Sequence, residues 1–280
     1  MSLEEIIHEI GLLEPFSQTA LQLVELVGDE SRALAEVADV VKSDANLASN
    51  VLRLANSAYF GRQQQVDAID RAVMLLGGRL VFEIALFSMT AGFFQQAQDG
   101  YALEAGELWR HSVTSAVFAR ELARQYGLAH VEVVFTAALI KDIGKVILNR
   151  FMAAADRQID VLVEQQKMPF FEAEKMILGV DHAELGALAL KQWGLPGNLV
   201  ALVRNHHLQK PPVVAPRETC VIFLADSICS MLGLGTGKDG LHYPFREELL
   251  LRYFDVQDFQ GLVSRMFTRL EKIETLLGAF

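Results

Sequence analysis

The sequence predicts an all-α, multi-helical protein. Apolar residues recur at helical spacing along most of the chain. No convincing apolar–polar alternation of strand length occurs, and N-cap and glycine stop signals bracket the apolar segments. The 280 residues are 51% hydrophobic, which suits a sizeable core and excludes disorder as the main state.

Ser31 is placed to cap a helix whose Leu34, Val37 and Val41 share a face. Ser43 or Asp44 opens the next helix, with Leu47, Val51 and Leu54 at positions i, i+4 and i+7. Asn56 and Ser57 end it, and Gly61 follows. An apolar segment from Ile69 to Leu76 meets a stop at Gly77 and Gly78, and Leu80 to Phe94 reads as a buried helix. QQAQDG, Gln95 to Gly100, is polar and ends in glycine. It is the expected boundary between an N-terminal part, 1–97, and a C-terminal part, 98–280. Beyond it come a long helix from Glu104 to Gln125, stopped by Gly127, and another from Val131 to Lys141. Asp181 and Glu184 form a capping-box pattern, WGLPG ends that helix, and the next begins near Asn198. Thr219 to Leu232 is the last clear helix before GLGTGKDG. That segment is not a phosphate loop: Leu232 stands where the first glycine is needed and Asp239 where Ser or Thr would bind Mg²⁺. It reads as a flexible surface loop.

The net charge of −10 argues against nucleic acid as a partner, because phosphate binding relies on Lys and Arg. No apolar run reaches about 18 residues, so no membrane-spanning helix is expected. The acidic N-terminus lacks a basic, then apolar, leader pattern, which points to the cytoplasm. Cys220 and Cys229, nine residues apart on one helix, are too distant to bridge and read as reduced core residues.

Several polar residues fall on apolar faces. His111 shares a face with Leu108, Ser115, Phe118 and Leu122, and Glu107 lies one turn before it. Asp142 closes the very apolar VEVVFTAALIKD, where a helix dipole disfavours a carboxylate, so a metal or a lysine must compensate. His182 lies in a first turn. His206 follows Leu199, Leu202 and Val203 on an inward face, with His207 beside it. Asp226 is embedded in CVIFLADSIC, where an unpaired charge would be costly. Singly, each has an ordinary structural explanation. Together they are the imidazoles and carboxylates from which helical metal sites are built.

Taken together, these positions resemble the HD superfamily of metal-dependent phosphohydrolases and its HD-GYP branch. Glu107 and His111 match the first acid-plus-His helix, Asp142 the Asp of the His-Asp pair, Lys145 the lysine three residues on, and Asp226 the closing Asp. His182, His206 and His207 resemble the second-metal ligands. Two departures stand out: Lys141 occupies the place of the paired His, and Leu208 follows the two histidines where Glu is usual. The run SDANLASNVLRLANSAYFG and the segment AVMLLGGRLVFEIAL resemble an HDOD domain, a degenerate relative of these hydrolases, over roughly Leu12 to Gly233. The resemblance implies an N-terminal helical bundle packed on an HD-like helical domain. It further implies a regulatory, signal-transducing module rather than an enzyme, with a signalling protein or small ligand as partner. Asn56, Ser57, Tyr59 and Phe60 are candidates for partner contact. Lys141 is expected to act as a replacement cation among His111, Glu107, Asp142 and Asp226. Asp142, His182, His206 and His207 could keep one divalent metal (Fe, Mn, Zn or Ni), with no other cofactor. If the chain were active as a one-metal phosphodiesterase or phosphatase, Asp142 would hold the metal and Lys145 contact phosphate.

Overall fold

The structure is a computed structural model of the chain, and it describes residues 3–11, 16, 18–19, 22, 34–56, 66–254, 259–268 and 270. Ser31, Ser57, Tyr59, Phe60 and Gly61 lie outside the described residues. Among the described residues there are helices, turns and one isolated bridge, Gln98 to Leu103, but no strand. The all-α expectation is met. The chain divides into two compact units, 15–92 with 269–280, and 1–14 with 93–268.

Helix α1 (Leu3–Ile10) belongs to the larger unit. The smaller unit holds α2 (Leu34–Lys42), α3 (Ala45–Ala55) and most of α4 (Ile69–Phe94). Asp44 caps α3 as expected, its Oδ1 accepting the N–H groups of Asn46 and Leu47 at 3.0 Å each. Asn50 donates to Ser88 Oγ at 2.7 Å, tying α3 to α4. By length and composition α4 could cross a membrane, contrary to the expectation of no such segment. Gly77, at φ 78° and ψ 152°, breaks it, however, leaving Gly78 to Phe94 as the longer continuous piece. Seventeen residues at about 1.5 Å each fall short of a hydrocarbon core of about 30 Å. Val81, Phe82 and Ile84 to Phe87 are buried, as in a core helix.

The larger unit continues with α5 (Glu107–Gln125), α6 (Val131–Ile140), α7 (Ile143–Asp160), α8 (Phe170–Leu178), α9 (His182–Gln192), α10 (Gly197–Arg204), α11 (Pro216–Met231), α12 (Glu247–Leu251) and α13 (Phe259–Phe267). Helices α5, α6 and α11 are buried on nearly every face and pack on one another, as central helices do. QQAQDG leads into a 3₁₀ turn, Asp99–Tyr101, that carries Tyr101 into the core. Cys220 and Cys229 are both buried in α11.

One sequence expectation changes here. Asp142 does not close a helix: α6 ends at Ile140, and Asp142 immediately precedes Ile143, the first residue of α7. Its carboxylate therefore meets the positive end of a helix dipole, which favours it. The glycine of KDIGK has a packing role. A Cβ built at Gly144 would lie 1.9 Å from the His182 carbonyl oxygen, so glycine is what lets α7 touch the start of α9. Gly144→Ala is expected to lose about 3 kcal/mol of stability in urea unfolding, through forced separation of the two helices.

Candidate metal centre

Four helix ends and two helix interiors converge in the larger unit. His111 comes from α5, Asp226 from α11, and Lys141 and Asp142 from the α6–α7 junction. His182 opens α9, and His206 and His207 follow the end of α10. All of these side chains are buried.

The first set is His111, Asp142 and Asp226, whose ligand-type atoms lie within 4.8 Å of one another. The Lys141 ammonium touches all three. Its Nζ is 3.0 Å from His111 Nε2 and 2.8 Å from Asp226 Oδ1, and it donates to Asp142 Oδ2. His111 Nδ1–H donates to the Leu234 carbonyl at 2.8 Å, which turns Nε2 toward the cluster. Lys141 is fully buried and not, as a helix-end lysine could be, in solvent. Burial alone would lower its pKa, but Asp142 and Asp226 outweigh that and hold it above its ordinary value. Burial would likewise raise the two carboxyls, and Lys141 instead keeps both well below the usual carboxylate range. A divalent ion at this position would meet an ammonium already in contact with every ligand, so the first set does not fit one. Glu107 is not part of this group: its Oε2 accepts the Glu104 N–H at 2.7 Å, closing the turn before α5.

The second set is His182, His206 and His207, again within 4.8 Å of one another. Asp142 Oδ1 lies 3.7 Å from His182 Nε2 and 4.0 Å from His206 Nε2. Each imidazole is oriented from behind. His182 Nδ1–H donates to Glu174 at 2.7 Å, and His206 Nδ1–H to the Val203 carbonyl at 2.7 Å. His207 Nδ1 lies 3.1 Å from the Tyr243 hydroxyl, which itself bonds Asp226. The Nε2 atoms consequently face one interior point, the arrangement that outer hydrogen bonds impose on metal-binding histidines. Two observations test the fit. His206 Nε2 is buried with no hydrogen-bond partner, and Asp142 Oδ1 has the Lys145 ammonium at 2.9 Å but no hydrogen bond of acceptable angle. His182 Nε2 and His207 Nε2 are 2.8 Å apart, a separation that needs a proton or a cation between two lone pairs. Burial pushes His206 down to about 3 and His207 well below its ordinary value. His182 would also fall on burial, but Glu174 carries it upward. The ammoniums of Lys141 and Lys145 face the three carboxylates of Asp142, Asp226 and Asp239, a balance short of positive charge. These residues fit one divalent ion.

The glycine-rich loop is not the free surface loop expected. It lies across both sets as a strap. Leu234 holds His111, Asp239 Oδ2 meets Lys145 Nζ at 2.6 Å, and Lys238 Nζ reaches Asp156 at 2.7 Å and Asp160 at 3.1 Å. A Cβ at Gly237 would sit 1.9 Å from the Tyr101 carbonyl oxygen, so the glycine serves close approach. The cavity left beneath, lined by His111, Lys145, His182, His207, Asp226 and Tyr243, is about 10 Å³. That accommodates one water or ion, whereas small-molecule pockets occupy about 300–1,000 Å³.

Sequence reasoning therefore found both imidazole-and-carboxylate sets and the lysine, and missed the groups behind them. Glu174, Tyr101, Asp239 and Tyr243 are joined to the site only by tertiary contact. One signal was available. Glu174 is four residues after Phe170 and four before Leu178, on the buried stripe of α8, where a carboxylate needs a partner. It is fully buried and accepts from the Tyr101 hydroxyl at 2.7 Å.

A family model for the HDOD domain matches residues 13–209. An HDOD domain protein of unknown function from Geobacter sulfurreducens has the same fold, with a TM-score of 0.77 at 24% identity, covering 99% of this chain and 97% of that one. A candidate phosphohydrolase from Shewanella amazonensis gives 0.70 at 22% identity, covering 98% and 97%. A candidate signal transduction protein from Marinobacter aquaeolei gives 0.76 at 20% identity, covering 100% and 61%. An uncharacterized protein of Treponema pallidum is 27% identical over 188 residues, 67% of this chain. The match spans only 36% of that relative's length. Family model and fold agree with the geometry above: the chain belongs to the HDOD domain family.

Proposed function

We propose that this chain is a non-catalytic signalling module in which an HD-type site has become a structural centre. The observation that carries the reading is Lys141, whose ammonium contacts His111, Asp142 and Asp226 at once. Metal-assisted phosphate hydrolysis needs a cation that lowers the pKa of a bound water and polarises the phosphate, and a buried ammonium supplies neither open coordination nor a bound nucleophile. The small cavity of about 10 Å³ supports the same reading, since a phosphodiester is much larger than the space beneath the strap. Asp142, His182, His206 and His207 hold one divalent ion that ties α7, α9 and the end of α10 together. Output passes to a protein partner in the cytoplasm through the N-terminal part, 1–97, while 98–280 carries the centre. The charge of −10 speaks against nucleic acid as that partner. The competing reading is a one-metal phosphodiesterase or phosphatase, with Lys145 on the phosphate.

A phosphodiester and phosphomonoester hydrolysis screen with Mn²⁺ and Fe²⁺ separates the two. The expected result is no turnover above buffer. Turnover that disappears in Asp142→Ala would make the chain an enzyme.

A further inference from the structure

Beside the metal centre, on the solvent side of His207, the larger unit has a second and roomier concavity of about 210 Å³. It is walled by α8, α9 and the last residue of α10, and floored by the turn that follows His207. Three cations reach it from three directions: Lys175 from α8, Arg204 from α10 and Lys210 from the turn. Two carboxylates, Asp181 and Glu184, line the same cleft, so its cations outnumber its acids by one in a chain of net charge −10. Glu184 engages Lys175 at 2.6 Å but stands 3.9 Å from Arg204, too far for a hydrogen bond. Lys210 has no ion-pair partner among the described residues. The floor is rigid. Leu208 is buried and held at φ 48°, a left-handed conformation unusual for a branched side chain and found where surrounding structure fixes it. Asp181, also buried, accepts from the Glu184 N–H at 2.8 Å and from Gln209 Nε2 at 3.3 Å, pinning the turn against α9.

We propose that this cleft binds a small phosphate-bearing ligand. The Arg204 guanidinium fork and the Lys210 ammonium, with Lys175 shared with Glu184, line one concavity and suit a tetrahedral dianion with three free oxygens better than a two-oxygen carboxylate. The volume leaves room for a small organic body on the phosphate. The ligand would lie against the outer side of His207, apart from the ion-sized cavity under the strap. The proposal therefore does not depend on whether the histidine set holds a metal.

The test is calorimetric titration of the full chain with inorganic phosphate and pyrophosphate, and with acetate for comparison. Saturable binding of either phosphate probe is expected, with acetate at least about tenfold weaker. The double variant Arg204→Gln, Lys210→Gln, which alters two exposed side chains, should lose at least about tenfold in affinity with its melting temperature unchanged. Apoprotein prepared with a chelator, which empties the histidine set of any ion, should leave phosphate binding in place. The idea is overturned by no saturation at about 10 mM probe, by full affinity in the double variant, or by loss of binding in the chelator-treated apoprotein. That last outcome would put the anion at the metal set instead.

Discussion

Lys141→Met is expected to lower folding stability by about 3–5 kcal/mol, the cost of removing one partner from a buried charge cluster. Methionine fills much of the lysine's volume, so the loss reports charge rather than a cavity. It leaves Asp142 and Asp226 buried and facing each other without the ammonium that now touches both. In a chain of this length the melting temperature should fall by about 10 °C. The deficit should shrink as pH falls from 8 to 5. A buried carboxyl deprived of its cation takes up a proton more readily in the folded than in the unfolded state, so the variant gains relative stability in acid. Adding Asp226→Asn, which removes one of the two stranded charges, should restore part of the loss. Chemical denaturation of the three proteins at both pH values measures all of this. A Lys141→Met variant as stable as wild type at pH 8 would mean that the ammonium is not compensating these carboxylates.

Lys141→His is expected to go the other way chemically and gain one equivalent of Mn²⁺ or Fe²⁺. The imidazole would replace the ammonium at a point where His111 Nε2, Asp142 Oδ2 and Asp226 Oδ1 already converge. His111 is already oriented for ligation by its Nδ1–H bond to Leu234, so no repositioning is required of it. Hydrolysis should still be absent. The strap remains in place through Asp239 on Lys145 and Lys238 on Asp156, and the cavity beneath it admits an ion but no phosphodiester. Metal gained without turnover would separate two reasons for inactivity, a missing ligand and a covered site. Turnover in this variant would assign the inactivity to the lysine alone.

The helical class was legible because apolar residues at i, i+3 and i+4 leave little else to infer, and the Asp44 and Asp181 caps were legible from side-chain chemistry that acts within three residues. Of the Asp181–Glu184 capping box only half forms, since Glu184 turns to Lys175 instead. Helices α7 and α8 were not anticipated. Ile140 is followed by two charged residues, an isoleucine and then a glycine, a pattern that ordinarily ends a helix, and only the contact between Gly144 and His182 reveals the glycine's purpose. His111, Asp142, His182, His206, His207 and Asp226 were recognisable because each is a polar group on an apolar background. Glu107 was misplaced by the same rule. Its spacing puts it on the inward face, but as the first residue of α5 it serves the preceding turn. The strap was read as loose because glycine signals flexibility locally, while here Gly237 is required by the nearness of Tyr101, 136 positions earlier in the chain.

The most direct measurement of the central claim is the number of metal equivalents in the wild-type chain, by elemental analysis after reconstitution of the apoprotein with Mn²⁺ or Fe²⁺ and removal of free ion. With Lys141 in the first cation position, wild type should bind one equivalent, lost in His206→Ala. Two equivalents in wild type would show that the ammonium does not hold that position, and would return the chain to the two-metal hydrolases.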